Sequence, residues 1–305
     1  MRINIGVAEA FLACCLLMTV HMASAQEPIW KAEFPSATAY MIGATHLGKR
    51  TREPLGRKTI EIMVKANYLG HESSGDEFQN SSQQRFSQRK RLSSSAVDRL
   101  SAFLSLCEAP ETAIGEHPAG AIIMACEQII LQNLGGAYMY GTKAMVAEYL
   151  AMTKNQPATG FLETKEVQIE AIQSISDDDW EQSTIYRLGG LKRSEIEAAF
   201  TSILNIKATT DCESSRSLIW AALSSPAEAR IQEALLKNRN IGMADELIRK
   251  TSEHKISLFV FGADHAYGDF GILEILRQNG AKIFRWNEYL ETWKPSRDHI
   301  DCEAP

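Results

Sequence analysis

The sequence lacks the fingerprints of several large functional classes. Basic residues are outnumbered, 32 Lys and Arg against 38 Asp and Glu, for a formal net charge of −6. Gripping a phosphate backbone needs a basic face, so no nucleic-acid partner is expected. No complete P-loop and no Gly-x-Gly-x-x-Gly turn follows a strand-like run, which removes the usual cradles for a nucleotide phosphate. There is no Gly-x-Ser-x-Gly elbow to present a nucleophilic serine. His71-Glu72 begins like a zincin helix, but Gly75 stands where the second histidine would be. The absence of a Cys-x-x-Cys pair weakens a zinc–thiolate site. Past residue 25 no apolar run is long enough to cross a bilayer, so no stable membrane insertion is expected.

What is present begins with a segment of different character. Arg2 precedes an apolar stretch at 11–20, and Ala23-Ser24-Ala25 supplies the small residues of a cleavage site before Gln26. Residues 1–25 therefore read as a secretory signal peptide, and 26–305 as a secreted or periplasmic protein. Export changes the meaning of the cysteines. Cys14 and Cys15 leave with the leader, while Cys107, Cys126, Cys212 and Cys302 remain in an oxidising compartment. Of three connectivities, Cys107–Cys126 with Cys212–Cys302 is favoured, because the first pair would staple a local helical hairpin.

The chain of 305 residues, 45% hydrophobic and 23% charged, fits one large α/β domain or a domain carrying an insertion. Residues 38–42 form a brief strand-like run, 55–65 have helical spacing, and 66–72 read as a strand. That is the βαβ rhythm. Residues 75–91 are polar, with Arg85, Arg89, Lys90 and Arg91; a solvated loop is favoured over a docking patch for an anionic partner. Helical patterns at 96–104, 122–134 and 144–152 make the stretch from about 92 to 157 a helical insertion. Residues 160–163 predict a strand leading into a helix at 165–175. Residues 191–204 and 226–251 are amphipathic, the second interrupted near Asn238-Arg239-Asn240. Ile256, Leu258, Phe259, Val260 and Phe261 form the clearest run, a strand buried on both faces. A helix to Gln278 and a last strand at 281–285 follow. The expected fold is α/β, with a central, mostly parallel sheet flanked by helices and carrying the helical insertion.

Chemistry concentrates at the ends of these runs. Gly43-Ala44-Thr45-His46 and Gly262-Ala263-Asp264-His265 each follow an apolar strand. Glycine lets the backbone turn sharply, and the histidine then projects from the carboxyl edge, where open α/β sheets bind ligands. On neighbouring parallel strands the two imidazoles would meet, as a metal pair or an acid/base pair. One such histidine alone is more often an ordinary loop residue; the second copy shifts the balance. Glu72 and Glu163 close two other strand-like runs. Each is alternatively a structural cap, Glu163 serving the next helix through its dipole. Together His46, Glu72, Glu163 and His265 make a ligand set suited to a divalent metal, with a spare carboxylate as general base. His117, His254 and His299 are expected at the surface.

These motifs resemble the TraB/GumN family, which includes the Tiki-type metalloproteases. The resemblance rests on Tyr40-Met41-Ile42-Gly43-Ala44-Thr45-His46, Leu69-Gly70-His71-Glu72, and Gly160-Phe161-Leu162-Glu163-Thr164 with Gln168. It continues through Arg239-Asn240 with Met243-Ala244, and Phe261-Gly262-Ala263-Asp264-His265 with Gly268 and Gly271. It implies a fold of the erythromycin-esterase/ChaN-like kind and a divalent metal, manganese or cobalt, with zinc as an alternative. It also implies hydrolysis of a peptide or protein substrate. Carried over by position, His46, His265, Glu72 and Glu163 would hold the metal, and Glu72, Glu163, Arg239 and Asn240 would serve catalysis. Ala44 and Ala266-Tyr267 depart from the family's commoner residues, which bears on substrate preference. The expected function is thus an exported metal-dependent hydrolase, a peptidase. A ChaN-like haem- or metal-binding module and a non-catalytic factor in surface polysaccharide assembly remain as alternatives.

Overall fold

Residues 256–262 form a strand because both sets of alternating side chains find apolar cover. In the computed structural model Leu258 and Val260 enter one core cluster, while Phe259 and Phe261 enter another on the opposite face. All four are at most 1% exposed, and burying each such side chain contributes about 1.5–3 kcal/mol. The structure describes residues 28–44, 48–49, 55–73, 92–108, 114, 119–134, 136–137, 142–152, 156–187, 194, 225–287 and 290–296. The expected leader, His46, His117, His299, Cys212, Cys302, the whole polar 75–91 segment and nearly all of the expected 191–204 helix lie outside them.

The elements run β1 (Ile29–Glu33), β2 (Thr38–Ala44), β3 (Gly48–Lys49), α1 (Arg57–Lys65) and β4 (Tyr68–His71). Next come α2 (Ser94–Leu104), α3 (Ala119–Asn133), β5 (Gly136–Ala137), α4 (Thr142–Met152), β6 (Ala158–Phe161), α5 (Lys165–Ser174) and α6 (Asp177–Arg187). The chain closes with α7 (Pro226–Gln232), α8 (Asn238–Glu253), β7 (Ile256–Gly262), α9 (Ile272–Gln278), β8 (Lys282–Asn287) and β9 (Thr292–Pro295). Among the described residues no helix is long and apolar enough to cross a membrane.

The main sheet has the order β6-β4-β7-β2-β1-β8-β9. Its first four strands are mutually parallel, whereas β1, β8 and β9 pair antiparallel. The fold is therefore α/β with a mixed sheet, and its parallel half carries every strand whose end was singled out above. Close contact fixes that half. Gly160, Gly70, Phe259 and Met41 lie in one row, and a Cβ at Gly70 would be driven into the Phe259 ring. Strands β1 and β9 were not expected. Strand β1 alternates Trp30 and Ala32 with Lys31 and Glu33 over only five residues, and β9 contains Pro295, which an edge position tolerates; β9 is that edge.

Helices α2, α3 and α4 lie in sequence between the adjacent strands β4 and β6. Ser93 caps α2 by accepting a hydrogen bond from the Ala96 N–H at 3.3 Å. A core cluster of Leu100, Phe103, Leu104, Ile122, Ile123 and Cys126 also takes in Ile172, Ile175, Trp180 and Ile231 from later in the chain. Helix α6, absent from the expectations, starts at a recognisable cap: Ser176 accepts from the Asp179 N–H at 3.0 Å, with three aspartates in the first turn. Helix α7 does not break before α8. A π-helical turn, Glu233–Lys237, joins them, and both joints keep right-handed helical dihedrals. The irregularity expected at 238–240 thus lies one turn earlier and is a change of helical register. His254, expected at the surface, is half-buried and stacks on Tyr68 with ring centroids 4.7 Å apart.

Cys107 and Cys126 form a disulfide, Cα atoms 5.4 Å apart and 19 residues apart in sequence, tying the end of α2 to α3. Closing a loop of that size restricts the unfolded chain, so replacing both by Ser should lower the unfolding free energy by about 3 kcal/mol. Urea denaturation should show that loss under oxidising conditions and none in reductant, whereas an unchanged midpoint would mean the bridge contributes nothing.

Candidate functional site

The parallel ladder extends one residue beyond the strands and places two carboxylates side by side. The Glu72 N–H donates to the Val260 carbonyl at 3.0 Å, and the Glu163 N–H to the Glu72 carbonyl at 3.1 Å. Glu163, Glu72 and the Gly262–His265 turn thus leave the carboxyl ends of β6, β4 and β7, three adjacent parallel strands. Strand β2 is the fourth, with Ala44 in register with Gly262. His46 follows Ala44 by two residues and lies outside the described residues.

The carboxylates are buried, each 8% exposed, and two buried charges of one sign need a cation. Arg239 supplies it. Its Nη2 donates to Glu72 Oε1 at 2.8 Å and to Glu163 Oε1, and its Nε donates to Glu163 Oε2 at 3.0 Å. Nη1 donates to the Leu235 carbonyl at 3.0 Å, in the π-helical turn. Burial disfavours the guanidinium charge, but the hydrogen bonds and charge of Glu163, reinforced by Glu72, outweigh it and raise the Arg239 pKa. Gln168 Nε2 donates to Glu163 Oε1 at 2.7 Å, so both oxygens of Glu163 are engaged. Glu72 Oε2 accepts from the Gly262 N–H at 2.8 Å.

His265 is 5% exposed, and its tautomer follows from its neighbours. The Phe270 carbonyl can only accept, so it takes the Asn240 Nδ2 hydrogen at 2.8 Å and turns Asn240 Oδ1 toward the imidazole. His265 Nδ1 lies 2.5 Å from that oxygen and must therefore carry the proton. Nε2 faces Glu72 Oε1 at 3.4 Å; with a second proton it pairs with the carboxylate, and without one it offers its lone pair to a cation. A lone pair facing a carboxylate oxygen is unfavourable without a cation beside them. An imidazole whose far N–H is tied to a carbonyl oxygen is also the usual arrangement of a metal-ligating histidine. The described residues thus supply two donor atoms that fit a divalent ion, His265 Nε2 and Glu72 Oε1. No group of three His, Cys, Asp or Glu that could hold a metal occurs among the described residues.

The motif glycines act differently from the expectation that they permit a sharp turn. Gly262 has φ −53°, open to any residue, and contributes its N–H to Glu72. Gly43 is required by packing: a Cβ there would lie 2.8 Å from Pro28 Cγ and 3.1 Å from Ala263 Cβ. The glycines that shape the loop are Gly268, at φ +89°, and Gly271, where a Cβ would meet the Ala266 and Tyr267 backbone at 2.5 Å. They bring the Phe270 carbonyl to Asn240. The Gly262 N–H and the Phe270 and Leu235 carbonyls are main-chain groups, so no residue type announced them.

A model of the TraB/PrgY/gumN family matches residues 28–285, from β1 into β8 and across every strand end described. The chain belongs to the TraB/PrgY/gumN family. No curated protein and no solved structure matches it. Within the matched region lie all six residues singled out from the sequence, His46, Glu72, Glu163, Arg239, Asn240 and His265. The structure brings the last five together: hydrogen bonds join Glu163 and Glu72 to Arg239 and Asn240 to His265, and His265 Nε2 lies 3.4 Å from Glu72 Oε1.

Replacing Asn240 by Leu strands the His265 Nδ1–H and the Phe270 carbonyl, each loss worth about 1–3 kcal/mol. Chemical denaturation should register the loss. Long-range 1H–15N spectra should show His265 protonated at Nδ1 in the parent and mixed between tautomers in Asn240→Leu; a parent protonated at Nε2 would overturn the assignment.

Proposed function

We propose that this family member is an exported, metal-dependent hydrolase acting on peptide or protein substrates. The observation that carries the proposal is buried His265, its Nδ1 held by Asn240 and its Nε2 aimed at Glu72. His265 and Glu72 would hold a divalent ion, with His46 as a further ligand from the loop after the neighbouring strand β2. When bound, the ion lowers the pKa of a coordinated water and polarises the scissile carbonyl. Manganese or cobalt suits this mix of nitrogen and carboxylate donors, as does zinc.

The chain's own groups have distinct tasks in this scheme. Asn240 keeps the His265 Nδ1 proton in place, so that Nε2 stays free to bind. The Gly262 N–H fixes Glu72 through Oε2 and leaves Oε1 facing His265. Glu163, both its oxygens engaged by Arg239 and Gln168, holds the guanidinium against Glu72 in this scheme. A small ion accounts for a histidine only 5% exposed and 3.4 Å from a carboxylate better than the face of a porphyrin does. The Cys107–Cys126 bridge supports an oxidising, extracytoplasmic setting, in keeping with cleavage near Ala25. Residues 26–305 would then be one α/β domain with the helices of about 92–157 inserted over it.

The test is metal content and peptide hydrolysis side by side. The purified protein should carry a divalent metal, lose activity on a peptide library when chelated, and regain it with Mn2+ or Co2+. His265→Ala and His46→Ala should each lose metal and activity together, and Asn240→Leu should weaken metal affinity about 10–100-fold. Full hydrolysis by either histidine variant would sink the proposal.

A further inference from the structure

Among the described residues, Glu72 Oε1 faces both Arg239 Nη2, at 2.8 Å, and His265 Nε2, at 3.4 Å. A metal held by His265 and Glu72 would have to share that oxygen with a guanidinium. Arg239 cannot readily move aside. Its Nε and Nη2 grip Glu163, its Nη1 is anchored on the Leu235 carbonyl, and its side chain is only 12% exposed. Its charge also counts. Glu72 and Glu163 bring two negative charges and Arg239 cancels one of them, in a buried setting where screening by water is weak.

We propose that Arg239 is a built-in competitor for the metal, holding the site's affinity down so that occupancy stays reversible. The inference rests on the metal-hydrolase proposal and goes beyond it by assigning Arg239 to the control of loading. A guanidinium suits this work better than an ammonium, because its planar fork holds Glu163 with two parallel bonds while one arm reaches Glu72. With Arg239 in place the metal meets one shared carboxylate. With Arg239 removed it meets two, without the guanidinium's charge beside them.

The experiment is isothermal titration calorimetry of the purified protein with Zn2+ or Mn2+ alone, on the parent, Arg239→Gln and Arg239→Lys. Arg239→Gln is expected to bind the ion at least about tenfold more tightly. Arg239→Lys, which keeps the charge but loses the fork, should also bind more tightly than the parent. It serves alone if Arg239→Gln does not fold. Affinity equal to or weaker than the parent's in the folded variants would overturn the competitor role while leaving the metal site standing. No binding by the parent or by either variant would overturn both. Binding by the variants with none detectable in the parent would support the competitor role in its strongest form.

Discussion

Two carboxylates buried at one sheet edge call for a cation beside them, and Arg239 is that cation. The requirement organises much of the molecule. Glu72 and Glu163 are fixed by consecutive rungs of a parallel ladder, so their separation is set by the sheet rather than by side-chain choice. Arg239 must reach both from a helix, and α8 is held against the sheet by Met243, Ala244 and Leu247, none of them exposed. Removing one partner of such a cluster costs more than the cluster contributes, because the survivor is left charged and dry. Function and fold therefore share one set of bonds.

A second set runs from the loop after β7 inward. Gly268 and Gly271 let that loop fold back, the Phe270 carbonyl orients Asn240, and Asn240 decides which imidazole nitrogen is open. Main-chain geometry six residues from His265 in sequence thereby sets the chemistry of its ring. The same loop exposes Phe270, whose ring has the Lys237 ammonium 4.3 Å from its centroid. The π-helical turn and the loop thus meet at the rim of the site.

The parallel half of the fold was legible because its strands are short apolar runs ending in polar residues. That pattern placed Glu72, Glu163 and His265 at three neighbouring strand ends. The antiparallel half was less so, because the alternation of Trp30 and Ala32 with Lys31 and Glu33 in β1 spans only five residues and β9 carries Pro295 at the sheet's edge. Helix α6 left a usable signal in Ser176 followed by three aspartates. Arg239 and Asn240 were visible as a pair through the family resemblance, yet their division of labour was not: one faces the carboxylates and its neighbour the imidazole, a split that only the helix's orientation decides. The role given to Gly262 failed for a related reason, since its φ is ordinary and what matters is its N–H.

The π-helical turn at 233–237 joins two helices that belong to different cores. Ile231 before it packs in the helical cluster, and Met243, Ala244 and Leu247 after it pack against the sheet. An uninterrupted α-helix advances about 100° per residue, and the extra residue of a π turn shifts the phase so that both faces can be buried at once. The rod from Pro226 to Glu253 is therefore an axle seated in two bearings, with Arg239 and Asn240 just past the coupling. The two side chains that hold Glu72 and His265 thus sit just past the one place where the helix changes phase between its two cores.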